Sequence, residues 1–374
     1  MSSKLRVFHI INSFTRHGAE LIVSEMAKLI DKSAFDVTVC GIVTNPNPAA
    51  ERMQHDLHVN GVNVVDLGKQ AYMKDITTPF RLRALIREYK ADIVHTHCPS
   101  PDIYGRIAGL MSGRRNIVST LHNTRYSYVR LNSSLSKVTS MHIAVSEAVK
   151  EWALRELHLS ARKIKVIYNG VDVKSMNSDS GAHAFLKERE GLKGGQPIIT
   201  CVGRLHEQKN HDCLLRAAKS LLDRGVEAQY LLIGDGPLED DLTALAKELG
   251  IEDRVHFMGL RDDVADLLVI SDLFVLPSMW EGFGIAIIEA MAAGAPVVAS
   301  DVDGIQEIVN HGETGLLASP KDPESFATAM EHLLDNADIA RNMVEKARAD
   351  VEARFSLEAT ARHHERLYRN LIEN

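Results

Sequence analysis

Along the chain, short β-branched apolar runs alternate with longer stretches whose apolar residues recur at helical spacing. RVFHIIN, DVTVCGIV, VNVVDL, DIVHTH, NIVSTLH, MHIAVS and IKVIYNG predict strands in the first half, and PIITCVG, AQYLLIGDG, VHFMG, LFVLPS, PVVAS and GLLAS predict strands in the second. Strands separated by helices of ten or more residues build parallel sheets wrapped by helices, and the rhythm occurs twice. It breaks between Val173 and Pro197, where NSDSGAHAFLKEREGLKGGQ reads as a linker and an entering helix. The expected domains are therefore 1–173, a linker and helix at 174–196, 197–352, and a final helix at 353–374 that can cross back to the first domain. The fold class is α/β, with two facing Rossmann-like, doubly wound parallel-sheet domains. Ligands of such sheets bind at the carboxyl ends of the strands, here in an interdomain cleft.

Composition changes this picture little. A chain of 374 residues with 45% apolar content suits two domains with ample cores. Cys40, Cys98, Cys201 and Cys213 fall into no CxxC pair and no zinc spacing, so free thiols in a reducing cytoplasm are expected. MSSKLRVFHIINSF reads as a short strand, not a signal peptide, and no apolar run is long enough to span a bilayer. Charge is more informative: the net −7 divides into +9 over residues 1–170 and −16 over residues 171–374. A basic half invites an anionic partner.

Candidate chemistry concentrates in PSMWEGFGIAIIEAMAAGAPVVAS, residues 277–300. LFVLPS predicts a buried strand, Glu281-Gly-Phe-Gly284 a tight turn at its carboxyl end, and IAIIEAMAAG a helix closed by Gly294. Such a turn lets backbone amides and the positive helix terminus approach a phosphate. Eight helical positions leave two side chains roughly 80° out of alignment, so Glu281 and Glu289 would not share a face of one helix. With Glu281 in the turn, the two can grip different parts of an elongated ligand. On chemistry alone, a solvated loop glutamate and a helix-surface glutamate are an equally good reading.

The spacing E-x7-E with GFG after the first glutamate resembles the retaining glycosyltransferases of family 4, which have the GT-B fold. Further matches fall in the family's order: HGAE at 17–20, HTH at 95–97, LHN at 121–123, AVSE at 144–147, VIYNGVD at 166–172, VGRLHEQKN at 202–210, GDGP at 234–237, and DGIQEIV to GETG over 303–315. The resemblance implies that Arg204 and Lys209 hold the diphosphate of a sugar nucleotide, neutralising the charge that grows as the leaving group departs. It implies that Glu281 contacts the donor-sugar hydroxyls, that Glu289 binds the ribose, and that backbone amides around Phe283, Gly284 and Ile285 grip phosphate. Gly18 belongs to a phosphate-facing first loop, and His122 approaches the transferred sugar. The catalytic set so implied is His122, Glu281, Arg204 and Lys209. The donor-binding set is Gly18, Arg204, Lys209, Phe283, Gly284, Ile285 and Glu289.

His95 and His97 share a face of their strand and imitate a metal pair, but no third ligand is apparent in the sequence, so cleft lining or packing is expected. GDGP reads as a strand-to-helix turn with Pro237 at the first helical position. The chain departs from the family's pattern at His17, Asp303 and Gln306, where glycine, glycine and proline are usual. DVD at 301–303 superficially imitates the metal-binding DxD of the other glycosyltransferase fold. Since that motif belongs to a single-domain architecture, and Arg204 and Lys209 already supply positive charge, solvated acids are expected here.

These readings imply a cytoplasmic hexosyltransferase that moves a sugar, with retention, from a nucleotide diphosphate sugar to an acceptor hydroxyl without an obligatory metal or other cofactor. Uridine diphosphate sugars are the expected donors, with GDP-mannose open. The acceptor would be a glycan, a glycolipid or a small molecule, in bacterial cell-surface polysaccharide or glycolipid assembly. Alternatives are a sugar-nucleotide 2-epimerase of related fold and a catalytically silent nucleotide-sugar-binding subunit. No nucleic-acid partner is expected. PFRLRALIREYK at 79–90 combines Arg81, Arg83, Arg87 and Lys90 with Leu82, Leu85 and Ile86 at rough helical spacing, which suits either a surface helix on its own sheet or peripheral docking on an anionic membrane.

Overall fold

The computed structural model describes residues 4–15, 18–70, 75–125, 129–176, 182–192 and 195–373. The chain forms two compact units, Met1–Gly170 with Leu357–Asn374, and Val171–Ser356. In the first unit the strands are β1 (Leu5–Ile11), β2 (Phe35–Val43), β3 (Asn63–Lys69), β4 (Ile93–His97), β5 (Ile117–Leu121), β6 (Met141–Ala144) and β7 (Ile164–Val166). They form one parallel sheet in the order β3-β2-β1-β4-β5-β6-β7.

Side chains alternate across this sheet and supply a core on each face. Val7, Ile11, Ile93, Val118 and Ile143 lie in one core with Val23, Met26 and Ala27 of the helix Gly18–Leu29 and with Leu357, Ala361, Leu367 and Tyr368 of the helix Leu357–Glu373. Phe8, Ile10, Cys40, Ile42 and Val94 lie in the other, with Leu82 and Ile86 of the helix Thr78–Glu88 and Ala108 of the helix Pro99–Met111. Leu82 and Ile86 are wholly buried there, and Leu85 packs against the same core. The apolar residues singled out for membrane contact are thus consumed by the sheet. Ile76 and Phe80 are the exposed apolar side chains at that helix's start.

In the second unit β8 (Ile198–Val202), β9 (Gln229–Ile233), β10 (Val255–Gly259), β11 (Leu273–Leu276), β12 (Val297–Ser300) and β13 (Leu316–Ala318) form a parallel sheet in the order β10-β9-β8-β11-β12-β13. All thirteen strands of the two sheets lie where the apolar runs predict them. The segment read as a linker belongs to this unit: Leu186 of the helix Ala182–Arg189 is buried with Ile198, Leu231, Leu267 and Ile270, because one apolar side chain per turn is enough to seat a short helix on a sheet. The helix Ala337–Arg354 ends at Phe355, whose carbonyl accepts from the Val171 amide at 2.9 Å, and Leu357 then opens the helix of the first unit.

Both sheets reverse strand order once, between β1 and β4 and between β8 and β11. A reversal sends the helices after the two central strands to opposite faces, which parts the loops at their carboxyl ends and leaves room for a ligand. The charge division follows the units, at +9 for the first and −16 for the second. Among the described residues, no helix is long and apolar enough to cross a membrane.

Candidate functional site

The reversal point of the second unit carries the residues singled out in VGRLHEQKN and in the E-x7-E stretch. After β8 the chain runs through Gly203 and Arg204 to Lys209, and Asn210 turns it at φ 54° into the helix His211–Asp223. That left-handed turn is held by the Asn210 amide, which donates to the carbonyls of Pro277 at 3.1 Å and Pro320 at 2.7 Å. The loop is braced from the side by GDGP. The Leu205 amide donates to Asp235 O at 2.8 Å and the Leu238 amide to Leu205 O at 3.2 Å. A Cβ on Gly234 would collide with the Gly203 carbonyl, and one on Gly236 with that of Leu205. GDGP is therefore a buttress as well as a turn, and its helix begins at Glu239, two residues beyond Pro237.

Glu281 leaves β11 into the turn and is buried, its carboxylate flanked by three donors. Lys209 Nζ pairs with Oε1 at 2.5 Å, Ser278 Oγ donates to Oε1 at 2.8 Å, and Gln208 Nε2 reaches Oε2 at 3.4 Å while donating to Trp280 O at 3.0 Å. A buried carboxylate is costly unless charge and hydrogen bonds compensate it, and Lys209 supplies the charge. Arg204 on the same loop is exposed and has no ion-pair partner among the described residues. One cation is thus committed to a carboxylate and the other stands toward solvent, an arrangement that an incoming diphosphate can bridge.

Phe283 packs edge-on against Phe355 at 5.4 Å and pins the turn from below. Gly284 takes φ 101°, a conformation open to glycine, and starts the helix Ile285–Ala293. Glu289 lies half-buried in the second turn of that helix, so the two glutamates sit on different elements. Opposite the turn, a Cβ on Gly304 would come within 2.5 Å of the Glu281 carbonyl oxygen, so the glycine lets the short helix Asp303–Gln306 close on it. Gln306 Nε2 donates to Asp301 Oδ1 at 2.7 Å, which ties the first acid of DVD to its own turn.

The reversal point of the first unit carries histidines. His122 follows β5 and is half-buried, Gly18 opens the helix Gly18–Leu29, and His17 lies outside the described residues. The third ligand that the sequence does not reveal is His9 of β1: ring nitrogens of His9, His95 and His97 lie within 4.8 Å of one another, all buried. Register explains it, since β1 pairs with β4 at His9↔His95. These nitrogens are already taken by hydrogen bonds. His9 Nδ1 meets His97 Nε2 at 3.0 Å, His97 Nδ1 meets His122 Nε2 at 3.4 Å, and His95 lies between Tyr368 Oη and Thr120 Oγ1, both at 2.7 Å. Metal coordination would have to break these links, so the donor set reads as a hydrogen-bonded chain. Burial pushes His9 down to about 3 and His122 to about 4, with His95 and His97 well below their ordinary values, so each ring is neutral at neutral pH.

Two more groups meet at this reversal point, Cys98 and the Glu20 that ends HGAE. Cys98, the residue after β4, holds φ 67°, and its thiol donates to Glu20 Oε1 at 3.6 Å. Burial pushes the Glu20 carboxyl up to about 7. In the sequence Glu20 looks like an ordinary acid in the first turn of a helix, and nothing marks it as buried.

Comparison with known proteins covers nearly the whole chain. Residues 16–175 match the model of Glycosyltransferase Family 4, and residues 183–350 match that of Glycosyl transferases group 1. The chain is 31% identical to the N-acetyl-alpha-D-glucosaminyl L-malate synthase of Bacillus anthracis, over 86% of this chain and 84% of that one. It is 29% identical to the UDP-Gal:alpha-D-GlcNAc-diphosphoundecaprenol alpha-1,3-galactosyltransferase of Escherichia coli, over 89% of each. Among solved structures, Anabaena Alr3699/HepE in complex with UDP and glucose superposes with a TM-score of 0.85 at 22% identity, covering 98% of this chain and 100% of that one. The lipopolysaccharide glycosyltransferase WaaG superposes at 0.74 with 16% identity, covering 96% and 98%. These likenesses extend the GT-B fold class to this chain.

Proposed function

The chain belongs to glycosyltransferase family 4, and from that premise we propose that it transfers a hexose, with retention of configuration, from a uridine diphosphate sugar to a hydroxyl of a lipid-linked or surface glycan. The observation that carries this reading is the Lys209–Glu281 pair at 2.5 Å beside exposed Arg204, at the reversal point of a Rossmann-like sheet. In it the diphosphate lies along Arg204, Lys209 and the amides of Phe283, Gly284 and Ile285 at the helix start, where positive potential meets the charge of the departing leaving group. Glu281 takes the sugar hydroxyls and Glu289 the ribose. The acceptor attacks from the leaving-group side, and a diphosphate oxygen removes its proton. Lys209 and Arg204 carry the electrostatic role a metal would have, so no metal is needed. The UDP named for the Anabaena protein and the diphosphoundecaprenol acceptor named for the Escherichia coli enzyme support the donor and acceptor classes.

Peripheral docking on an anionic membrane would suit a lipid-linked acceptor and the +9 unit, through Phe80, Ile76 and the exposed Arg87 and Lys90 in place of the buried Leu82 and Ile86. The donor is tested by a thermal-shift panel of nucleotide sugars, in which a ligand at 100 times its Kd adds about 2.7 kcal/mol to the folded state. A uridine diphosphate sugar should give the largest shift, and a guanosine one would move the assignment to that donor. Turnover should survive EDTA; loss that added metal restores would return the reading to the acids of DVD. The anomeric configuration of the product, read by NMR, tests retention.

A further inference from the structure

A carboxylate only accepts hydrogen bonds, and each of its oxygens has two lone pairs. At Glu281 the donors divide unequally between the two oxygens. Oε1 takes both Lys209 Nζ at 2.5 Å and Ser278 Oγ at 2.8 Å, which fills it. Among the described residues, Oε2 is reached by Gln208 Nε2 alone, at 3.4 Å, the outer edge of hydrogen-bond range, and that amide makes its shorter bond, 3.0 Å, to Trp280 O. Two bonds on one oxygen resist any turn of the carboxyl group, so Oε2 is both aimed and open to a further donor.

Ser278 is held in this place by the two loops of the reversal point. It follows Pro277 at the end of β11 and is wholly buried. Its neighbours in the chain are tied to the loop after β8, since Asn210 Nδ2 donates to Pro277 O at 3.1 Å and the Met279 amide donates to Gln208 O at 2.8 Å. Those ties set the hydroxyl and the Lys209 ammonium against the same oxygen. The two donors differ in charge. A diphosphate draws strongly on an ammonium and only weakly on a buried neutral hydroxyl. When a diphosphate competes for Lys209, Ser278 is the contact that still holds Oε1.

We infer that Ser278 is a positioning residue of the transfer reaction, which by holding Oε1 of Glu281 leaves Oε2 as the acceptor for a hydroxyl of the donor sugar. This rests on the reading that Glu281 takes the sugar hydroxyls. A double-mutant cycle on the full chain tests it, with steady-state turnover and calorimetric titration of bare UDP as the two measurements. Ser278→Ala should lower kcat about tenfold, the contribution of one hydrogen bond, and leave the Kd of UDP unchanged, because UDP carries no sugar. Unchanged UDP binding also shows that the loop has kept its fold. In a Glu281→Ala background, where no carboxylate remains to be aimed, the same substitution should change kcat by less than about twofold. A merely structural serine would instead lower kcat equally in both backgrounds. Equal losses, weakened UDP binding in Ser278→Ala, or full turnover in Ser278→Ala overturns the inference and leaves Glu281 its assignment. Full turnover in Glu281→Ala removes Glu281 from the sugar, and the inference falls with that reading.

Discussion

Single charges decide what the candidate donor site can do. On the proposed reading, deleting either cation removes an electrostatic contact that strengthens as the leaving group departs, so Arg204→Ala and Lys209→Ala should each lower kcat by about 10². Steady-state kinetics check this, and near-normal turnover in both variants would remove the site from this loop. The 2.5 Å ion pair adds a second expectation, because Glu281 competes with phosphate for Lys209. Glu281→Gln should impair transfer yet bind bare UDP as well as the wild type or more tightly, whereas Glu289→Ala should weaken bare UDP itself. Calorimetric titration of the two variants separates them, and equal losses would refute the division of labour between sugar and ribose.

Among the elements, the close approaches matter more than the helices they serve. Gly304 faces the Glu281 carbonyl and Gly236 the Leu205 carbonyl, both backbone atoms that cannot swing aside. Gly304→Ala and Gly236→Ala should each destabilise the fold by about 1–3 kcal/mol, the usual cost of overpacking, and weaken UDP binding; denaturant unfolding and titration measure the two effects. Strands were the most legible part of the chain, because short apolar runs between helical patterns admit few other structures. GDGP was legible as a turn, but its role as a prop was hidden, since contact between loops depends on which strands become neighbours. The same holds for His9. Nothing near RVFHIIN points to HTH, and only the pairing of β1 with β4 brings His9 beside His95. Leu82 and Ile86 show the reverse: helical spacing marked an apolar stripe correctly, but a stripe alone does not say whether sheet or lipid covers it.

For the molecule as a whole, buried histidines should make the fold acid-labile. His9, His95, His97, His122, His142, His211 and His364 are all held below the ordinary value of 6.5 by burial. The unfolded chain takes up their protons from pH ~6.5 downward while the folded chain refuses them until pH ~4 or below, so stability is full above that window and falls through it, by up to ~1.4 kcal/mol per pH unit for each. Glu20, raised to about 7, and Asp102, also raised by burial, act in the opposite sense, because the folded state binds their protons first as pH falls. Two carboxyls do not offset seven imidazoles, so the melting temperature should drop steeply from pH 6.5 to 4.5; a flat profile in scanning calorimetry would contradict the burial of these histidines. The returning helix has a consequence in the order of synthesis. Residues 1–170 are translated first, yet their sheet keeps one face half-covered until 357–373 arrive, after the whole second unit has been made. The first unit to leave the ribosome is thus the last to be finished, and nascent chains stalled short of Leu357 should offer Ile11, Ile93 and Val118 to chaperones and proteases while their second unit is already closed.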